Sequence, residues 1–173
     1  MNLNYAITRL LRGETDLFAS VTLNKLFGKK VLFVEKPHET KDWVKVYAKN
    51  HNVKRMYLIS PLNYKDFGAE QKEFRDAIKE VCTFAKSKSI EIVPHLHLPE
   101  DFLRDTEMKP NKSITNNIRK TKDFFESCSN KPVKKFSFGF WRITHKKEHL
   151  RMAVNKLGMQ LAKREFHIYD WWF

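Results

Sequence analysis

Short apolar runs of strand length alternate with longer amphipathic segments of helix length along most of this chain. The run VLFVE at residues 31–35 is rich in β-branched and aromatic residues, which favours a buried strand. The next segment, KDWVKVYAKNH, spaces its apolar residues as an amphipathic helix does. No hairpin turn sequence separates consecutive strands, so helical crossovers join them, and such crossovers connect parallel strands. The pattern therefore predicts an α/β fold.

The alternation continues along the chain and predicts about five strand–helix units, which are too few for an eight-unit barrel. We expect parallel strands, neighbouring in one curved sheet, at residues 31–35, 55–60, 90–94, 134–138 and 166–169. A length of 173 residues favours a single domain spanning residues 1–173. Within it, we expect residues 1–30 to form an N-terminal helical extension.

The composition is that of a packed globular chain, because 42% of the residues are hydrophobic and 13% are aromatic. Cys82 and Cys128 lie far apart in sequence, each within a predicted helix, so we expect a reducing compartment and no disulfide framework. No apolar run is long enough to span a bilayer, and the N-terminal segment lacks the regions of a secretory signal. These features predict a soluble, cytoplasmic protein without a transmembrane segment.

The formal net charge of +13 favours anionic partners, nucleic acid among them. However, lysines occur along nearly every segment, and the sequence has no RGG tract, basic tail or RNA-binding signature. We expect the excess positive charge to be spread over the surface. Its clustering on one face would instead favour a nucleic-acid partner.

The stretch IEIVPHLHLPED places His95 and His97 at the end of a predicted strand. Side chains two apart on a strand point to the same side, and ligands of parallel α/β folds bind at the carboxyl ends of strands. Two imidazoles and a carboxylate suit zinc or another first-row divalent ion. Glu35 supplies a carboxylate at the end of the first strand, and His38 and Asp170 are further candidate ligands. Alternatively, both histidines are polar residues that face solvent where a strand becomes a loop.

Other motifs carry less information. His145 and His149 lie four apart on a predicted helix, but the basic residues around them favour a solvated helix face. The sequence has no GxSxG, GxxxxGK[ST] or GxGxxG motif, so serine hydrolase, P-loop and Rossmann chemistry lack support. The segment WWF, which includes Trp171, can stack on a sugar or a base, although Trp at the end of a strand is more often part of the core.

The order of these segments resembles the NodB-type polysaccharide deacetylases. The resemblance covers residues 30–173 and rests on three stretches, KNHNVKRMYLIS, IEIVPHLH and FSFGFWRITHKKEHLRMAVNKLGM. It implies a partial, irregular (β/α) barrel with parallel strands, a divalent metal cofactor, zinc above all, and a carbohydrate or other small N-acylated substrate. It also implies that Phe140 and Trp141 line the substrate groove. We add Trp171 to these candidate substrate-binding residues and take Asp170 as the candidate catalytic residue.

The chain departs from the family pattern at several positions. The family's first strand ends in two aspartates, a general base and then a metal ligand, where this chain has Val34 and Glu35. Glu35 can bind a metal, whereas Val34 cannot accept a proton. The histidines lie two apart instead of four, and Lys135 or Ser137 takes the place of an expected arginine. The family's general-acid histidine has no counterpart after Asp170.

Three functions follow from these observations. The first is a divergent metal-dependent hydrolase that removes an acyl group from an N-acylated sugar or a similar amide, with Glu35, His95 and His97 holding the ion. The second is a catalytically inactive deacetylase-like scaffold that binds a carbohydrate or a protein. The third is a basic, nucleic-acid-associated protein that contacts phosphates through lysine and arginine.

Overall fold

The computed structural model describes residues 31–104, 112–139, 144, 147–162 and 168–169. Its strands are β1 (Val31–Val34), β2 (Arg55–Ile59), β3 (Glu91–Leu96), β4 (Lys135–Phe138), β5 (Gln160–Leu161) and β6 (Ile168–Tyr169). Its helices are α1 (Pro37–Asn50), α2 (Gln71–Ser87), α3 (Glu100–Arg104), α4 (Lys112–Ser129) and α5 (Glu148–Lys156). A 3₁₀ helix at Pro61–Phe67 lies between β2 and α2.

The strands of the described residues form one sheet in the order β5-β4-β3-β2-β1-β6, and all neighbours are parallel. The predicted α/β fold with a parallel sheet is thereby confirmed. The sequence pattern does not predict β5, because a strand of two residues is too short to show a period. β5 and β6 lie at opposite edges of the described sheet, so these strands do not close into a barrel.

β3 extends further than the sequence pattern predicts. The predicted strand ends at Pro94, a residue that cannot donate a hydrogen bond to a neighbouring strand. The strand instead continues through Pro94 to Leu96 and includes His95. Pairing with β4 begins only after the proline, where His95 lies opposite Ser137. His95 is consequently a residue of the sheet and not of the loop that follows it.

Residues alternate between two hydrophobic clusters along the strands. Val34 and Met56 belong to the larger cluster, which the strands build with α1, α2 and α4 on one face of the sheet. The smaller cluster contains the side chains that point to the other face, namely Phe33, Tyr57, Val93 and Ala162. This alternation follows from the two-residue period of a strand. Burial on both faces explains why the strands are almost continuously apolar.

The connection between β2 and α2 positions part of the candidate site. Ser60 caps the 3₁₀ helix, because its hydroxyl oxygen accepts a hydrogen bond from the Leu62 N–H. The helix ends at Gly68, whose φ of 63° is a left-handed conformation that glycine adopts at little cost. The segment carries Asn63 and Asp66 towards the end of β3, as their contacts with His97 show.

Several predictions concern residues outside the described ranges. They are the helical extension at residues 1–30, the substrate-binding residues Phe140, Trp141 and Trp171, the catalytic residue Asp170, and His145. These assignments stay predictions, as do the single domain over residues 1–173 and the even spread of positive charge. Within the described ranges, no helix is long and apolar enough to cross a membrane.

Candidate metal centre

Glu35, His95 and His97 lie together at the carboxyl ends of β1 and β3. One ligand atom from each residue lies within 4.8 Å of the other two. Glu35 Oε1 is 3.5 Å from His97 Nε2 and 3.7 Å from His95 Nε2. The structure thus brings the three predicted metal ligands into one cluster. It does not place His95 in solvent, since only 2% of this side chain is exposed.

The register of the sheet explains why residues so distant in sequence meet. β2 lies between β1 and β3, with Val34 opposite Leu58 and Ile59 opposite His95. Glu35 and His95 therefore reach the same level on either side of β2. The strand period also turns both side chains towards the face of the smaller cluster, where the His95 ring meets Phe33 edge-on with centroids 4.9 Å apart.

His95 is oriented by β4. Its Nδ1 lies 2.7 Å from the hydroxyl oxygen of Ser137. That hydroxyl also lies 3.4 Å from the carbonyl of Pro94, and when it donates there, the His95 Nδ1–H donates to Ser137. In that tautomer the lone pair of His95 is on Nε2, which lies 3.7 Å from Glu35 Oε1. An imidazole fixed in this way is prepared to bind a metal through Nε2.

His97 is held by the 3₁₀ helix. The side-chain amide of Asn63 accepts a hydrogen bond from the His97 backbone N–H and donates one to the His97 carbonyl, both at 3.1 Å. The same amide donates to Asp66 Oδ2 at 2.8 Å, and this carboxylate oxygen lies 3.8 Å from His97 Nδ1. Neither Asn63 nor Asp66 is among the residues predicted from the sequence. A polar pair three apart after a strand is too common a pattern to single them out.

Gly139 allows the end of β4 to approach the imidazole ring of His97. A Cβ atom at this position would lie 2.6 Å from His97 Cδ2, which is closer than such atoms pack, and 3.2 Å from His97 Nε2, which is a tight contact. The Gly139 N–H also donates to the Leu96 carbonyl at 3.0 Å, which holds the two backbones together. Only glycine leaves room for the ring in its present position.

The three side chains offer one donor atom each to a divalent ion, and these atoms all lie within 4.8 Å of one another. In a tetrahedral site with bonds of about 2.0–2.1 Å, neighbouring ligand atoms are roughly 3.3 Å apart. The two separations from Glu35, 3.5 and 3.7 Å, are close to this spacing and longer than an N–H···O hydrogen bond of about 2.7–3.2 Å. Three protein ligands with one open position are the arrangement of catalytic zinc sites. With neutral imidazoles, the carboxylates of Glu35 and Asp66 also favour a cation electrostatically.

His38 does not join this cluster. Its ring packs against Phe74, with centroids 5.2 Å apart, and its Nε2 lies 3.4 Å from Glu39. Within the described residues, the only group with metal-ligand spacing consists of Glu35, His95 and His97. His149 on α5 is likewise not part of such a group. The remaining candidate ligand, Asp170, lies outside the described residues.

Comparisons with known proteins find similarity at the level of structure only. No protein-family profile and no curated protein sequence matches the chain. Among solved structures, a CE4 family pseudoenzyme from Bacillus anthracis matches with a TM-score of 0.49 and 16% identity, over 77% of this chain and 42% of that one. A mutant of the pseudoenzyme with restored enzymatic activity matches with the same TM-score and identity, over 77% and 43%. The chain therefore spans less than half the length of these structures.

Proposed function

We propose that this protein is a divergent metal-dependent hydrolase on a deacetylase-like α/β scaffold. The observation that carries the proposal is the cluster of Glu35, His95 and His97, whose donor atoms have the spacing and chemistry of a divalent metal site. The family that the sequence resembles suggests the substrate, an N-acylated sugar or a similar amide. It also suggests that the strands belong to a partial, irregular (β/α) barrel.

In this proposal the chain's own residues hold and orient the ion. Glu35 Oε1 and the two Nε2 atoms are the ligands, while Ser137 fixes the ring of His95 and Asn63 fixes the backbone of His97. A bound zinc ion supplies Lewis-acid chemistry, because it polarises a carbonyl and lowers the pKa of a coordinated water. We assign substrate binding to Phe140, Trp141 and Trp171, and catalysis to Asp170.

One observation favours a second candidate, a scaffold that binds metal but does not catalyse hydrolysis. Val34 occupies the position at which the family has its general base. The side chain of Val34 is fully buried and belongs to the larger hydrophobic cluster, on the helix-covered face of the sheet. This position can therefore neither accept a proton nor face the metal cluster. Hydrolysis would need a base from elsewhere, and the inactive scaffold would need none.

Metal analysis followed by an activity assay tests both candidates. The protein is purified without a metal-binding affinity tag, loaded with zinc, dialysed, and analysed for metal content. It is then incubated with N-acetylated sugar oligomers, and released acetate is measured for the wild type and for His97→Ala. Stoichiometric zinc with acetate release that the variant loses supports the hydrolase. Stoichiometric zinc without acetate release supports the inactive scaffold, and the absence of zinc overturns both.

A further inference from the structure

A cavity of about 390 Å³ opens at the amino end of the sheet, between the last residues of α2 and α4. Sites that bind small molecules have volumes of about 300–1,000 Å³. The residues that line the cavity also include the first two of β3, Glu91 and Ile92. His95 lies four residues further along this strand, roughly 13 Å from Glu91 at the rise of a parallel strand. The cavity is therefore separate from the candidate metal centre.

The pairing of β3 with β4 explains why space is left at this end of the sheet. The two strands pair at His95 with Ser137 and at Leu96 with Phe138. Before these pairs lies Pro94, which has no N–H to donate to a neighbouring strand. The amino ends of the two strands are therefore not paired in the described sheet. The cavity lies at these unpaired ends.

The inner wall of the cavity is apolar. It includes Ile90, Phe125 and Val133, which are buried members of the larger hydrophobic cluster. Ile92 also lines the cavity and packs against the same cluster. A ligand with an apolar body can therefore contact the edge of the core, and such contact favours binding because it removes apolar surface from water.

The outer part of the cavity is basic. Four lysines line it, Lys86, Lys131, Lys134 and Lys135, together with one carboxylate, Glu91. Lys135 lies 3.1 Å from this carboxylate. Within the described part of the chain, the other three lysines form no ion pair. The lining therefore carries an excess of positive charge, which favours an anionic ligand.

The carboxylates at the cavity are already paired. Besides Lys135, Glu91 accepts a hydrogen bond from Arg55 at 2.6 Å. The carboxylate of Glu126, on α4, accepts hydrogen bonds from the Val133 backbone N–H at 2.9 Å and from Lys122 at 2.7 Å. Neither carboxylate therefore repels an anion as strongly as an unpaired one would.

Hydrogen bonds within the chain also occupy carbonyls at the two helix ends. At the end of α2, the Ala85 carbonyl accepts from the Ile90 N–H at 2.9 Å. At the end of α4, the Phe125 carbonyl accepts from the Ser129 hydroxyl at 2.7 Å. The partial negative charge of a helix end resides on such carbonyls, and these hydrogen bonds reduce it. The lysines therefore determine the sign of the potential in the cavity.

We propose that this cavity binds a phosphate monoester with an apolar body. A lysine ammonium group binds phosphate as a point charge, and a phosphate monoester carries about 1.5 to 2 negative charges at pH 7. One phosphate group can therefore interact with Lys86, Lys131 and Lys134 together, while the apolar body lies against the inner wall. The site is at the opposite end of β3 from the candidate metal centre, so this inference does not depend on the proposed hydrolysis.

Calorimetric titration of the full chain with 1-naphthyl phosphate tests the proposal. The protein is first treated with EDTA and dialysed, so that no metal ion binds the phosphate group. At low ionic strength, we expect 1-naphthyl phosphate to bind at least about tenfold more tightly than inorganic phosphate, which has no apolar body, and than 1-naphthol, which has no charge. Undetectable binding of 1-naphthyl phosphate, or an affinity equal to that of inorganic phosphate, overturns the proposal.

Two double variants test the role of the lysines. In Lys131→Gln/Lys134→Gln, the affinity for 1-naphthyl phosphate should fall at least about tenfold. The matched control is Lys72→Gln/Lys112→Gln, which removes the same charge at the other ends of α2 and α4, roughly 25 Å away along the helices. This control should bind as the wild type does. All four side chains are exposed, so both variants should fold. An equal loss of affinity in the two variants would show a response to net charge alone and overturn the proposal.

Nuclear magnetic resonance of the ¹⁵N-labelled protein identifies where 1-naphthyl phosphate binds. The largest changes in amide chemical shift should occur at Ser89, Ile92 and Val133, which line the cavity. The amide of His97, at the candidate metal centre, should not change. Largest changes at the carboxyl ends of the strands would place the compound at the metal centre and overturn the proposal.

Discussion

The two histidines of the candidate metal centre have different surroundings. Replacing each of them should therefore lower the free energy of unfolding by a different amount. His97 is 21% exposed, whereas His95 is buried, bonded to Ser137 and packed against Phe33. We expect His97→Ala to weaken zinc binding about 100-fold or more, with a loss of less than about 1 kcal/mol in the free energy of unfolding. His95→Ala should weaken zinc binding similarly and also lower the free energy of unfolding by about 2–3 kcal/mol, because it leaves a cavity and removes the buried hydrogen bond to Ser137.

Calorimetric zinc titration and urea unfolding of the metal-free proteins measure these two quantities separately. His51→Ala is the matched control, since His51 is an exposed histidine that stacks on Tyr47 of α1. Its zinc affinity should equal that of the wild type. Unchanged zinc affinity in the His95 and His97 variants would show that the cluster is not the metal site.

Asn63 shapes the site without belonging to the ligand set. Its side-chain amide accepts a hydrogen bond from the His97 backbone N–H and donates one to the His97 carbonyl and another to Asp66. Asn63→Ala should therefore weaken zinc binding by roughly 10–100-fold, as does the loss of other groups that orient a ligand. The same titration measures the effect, and Asn155→Ala, an exposed position on α5, is the control. A variant that loses stability but keeps its zinc affinity would mean that Asn63 only supports the fold.

At the scale of the elements, the end of β4 closes over His97 because residue 139 is glycine. In Gly139→Ala, the new Cβ would meet the imidazole ring at 2.6 Å, so either the ring or the strand must move. We expect zinc affinity to fall by about tenfold or more. Gly158→Ala is an informative control, because this glycine has a φ of 76° and open space around its Cα. It should cost about 1 kcal/mol of stability and leave zinc affinity unchanged.

An ion-pair network joins three strands at their amino ends. Arg55 of β2 donates to Glu91 of β3 at 2.6 Å, and Lys135 of β4 lies 3.1 Å from the other carboxylate oxygen. Burial raises the pKa of Glu91, but hydrogen bonds from Arg55 and Lys135 outweigh it, and the net pKa is below its usual value. The stabilisation is therefore present above the unfolded-state pKa of about 4.3 and is lost as the pH falls through the lower, folded-state pKa.

Glu91→Gln should remove this pH dependence. We expect it to lower the free energy of unfolding at pH 7 by less than about 1 kcal/mol, because the side chain of Glu91 is 41% exposed and solvent screens the pairs. The difference from the wild type should shrink steadily below about pH 4. Urea unfolding across this pH range measures it, with Asp123→Asn on the exposed face of α4 as the control. A difference that is constant with pH would contradict the ion-pair explanation.

For the whole molecule, a metal held by β1 and β3 should stabilise the fold. In the proposed site, zinc needs the folded chain to bring Glu35 together with His95 and His97, so free zinc at 100 times its Kd should contribute about 2.7 kcal/mol. For a chain of this size, that corresponds to a rise in Tm of roughly 5–10 °C. Differential scanning calorimetry with zinc and with excess chelator measures the shift. His97→Ala should show none, and a shift of equal size in that variant would place the stabilising ion elsewhere.

The sequence alone determined the class of fold and the edge at which the candidate site lies. Apolar runs such as VLFVE and RMYLIS, separated by amphipathic helices, determine a parallel sheet. The hydrophobic period of a strand or a helix can be recognised from consecutive residues alone. Parallel strands place all their carboxyl ends at one edge. The positions of Glu35, His95 and His97 at strand ends were therefore sufficient to predict that these residues lie near one another.

Only the tertiary structure decided how these residues are surrounded. The register across β2 sets Glu35 level with His95, and the path of the chain after β2 brings Asn63 to His97. Such contacts depend on the packing of many side chains from distant parts of the chain. The hydrophobic pattern of consecutive residues therefore does not predict them. The burial of His95 has the same origin, because β4 reaches it only through the assembled sheet.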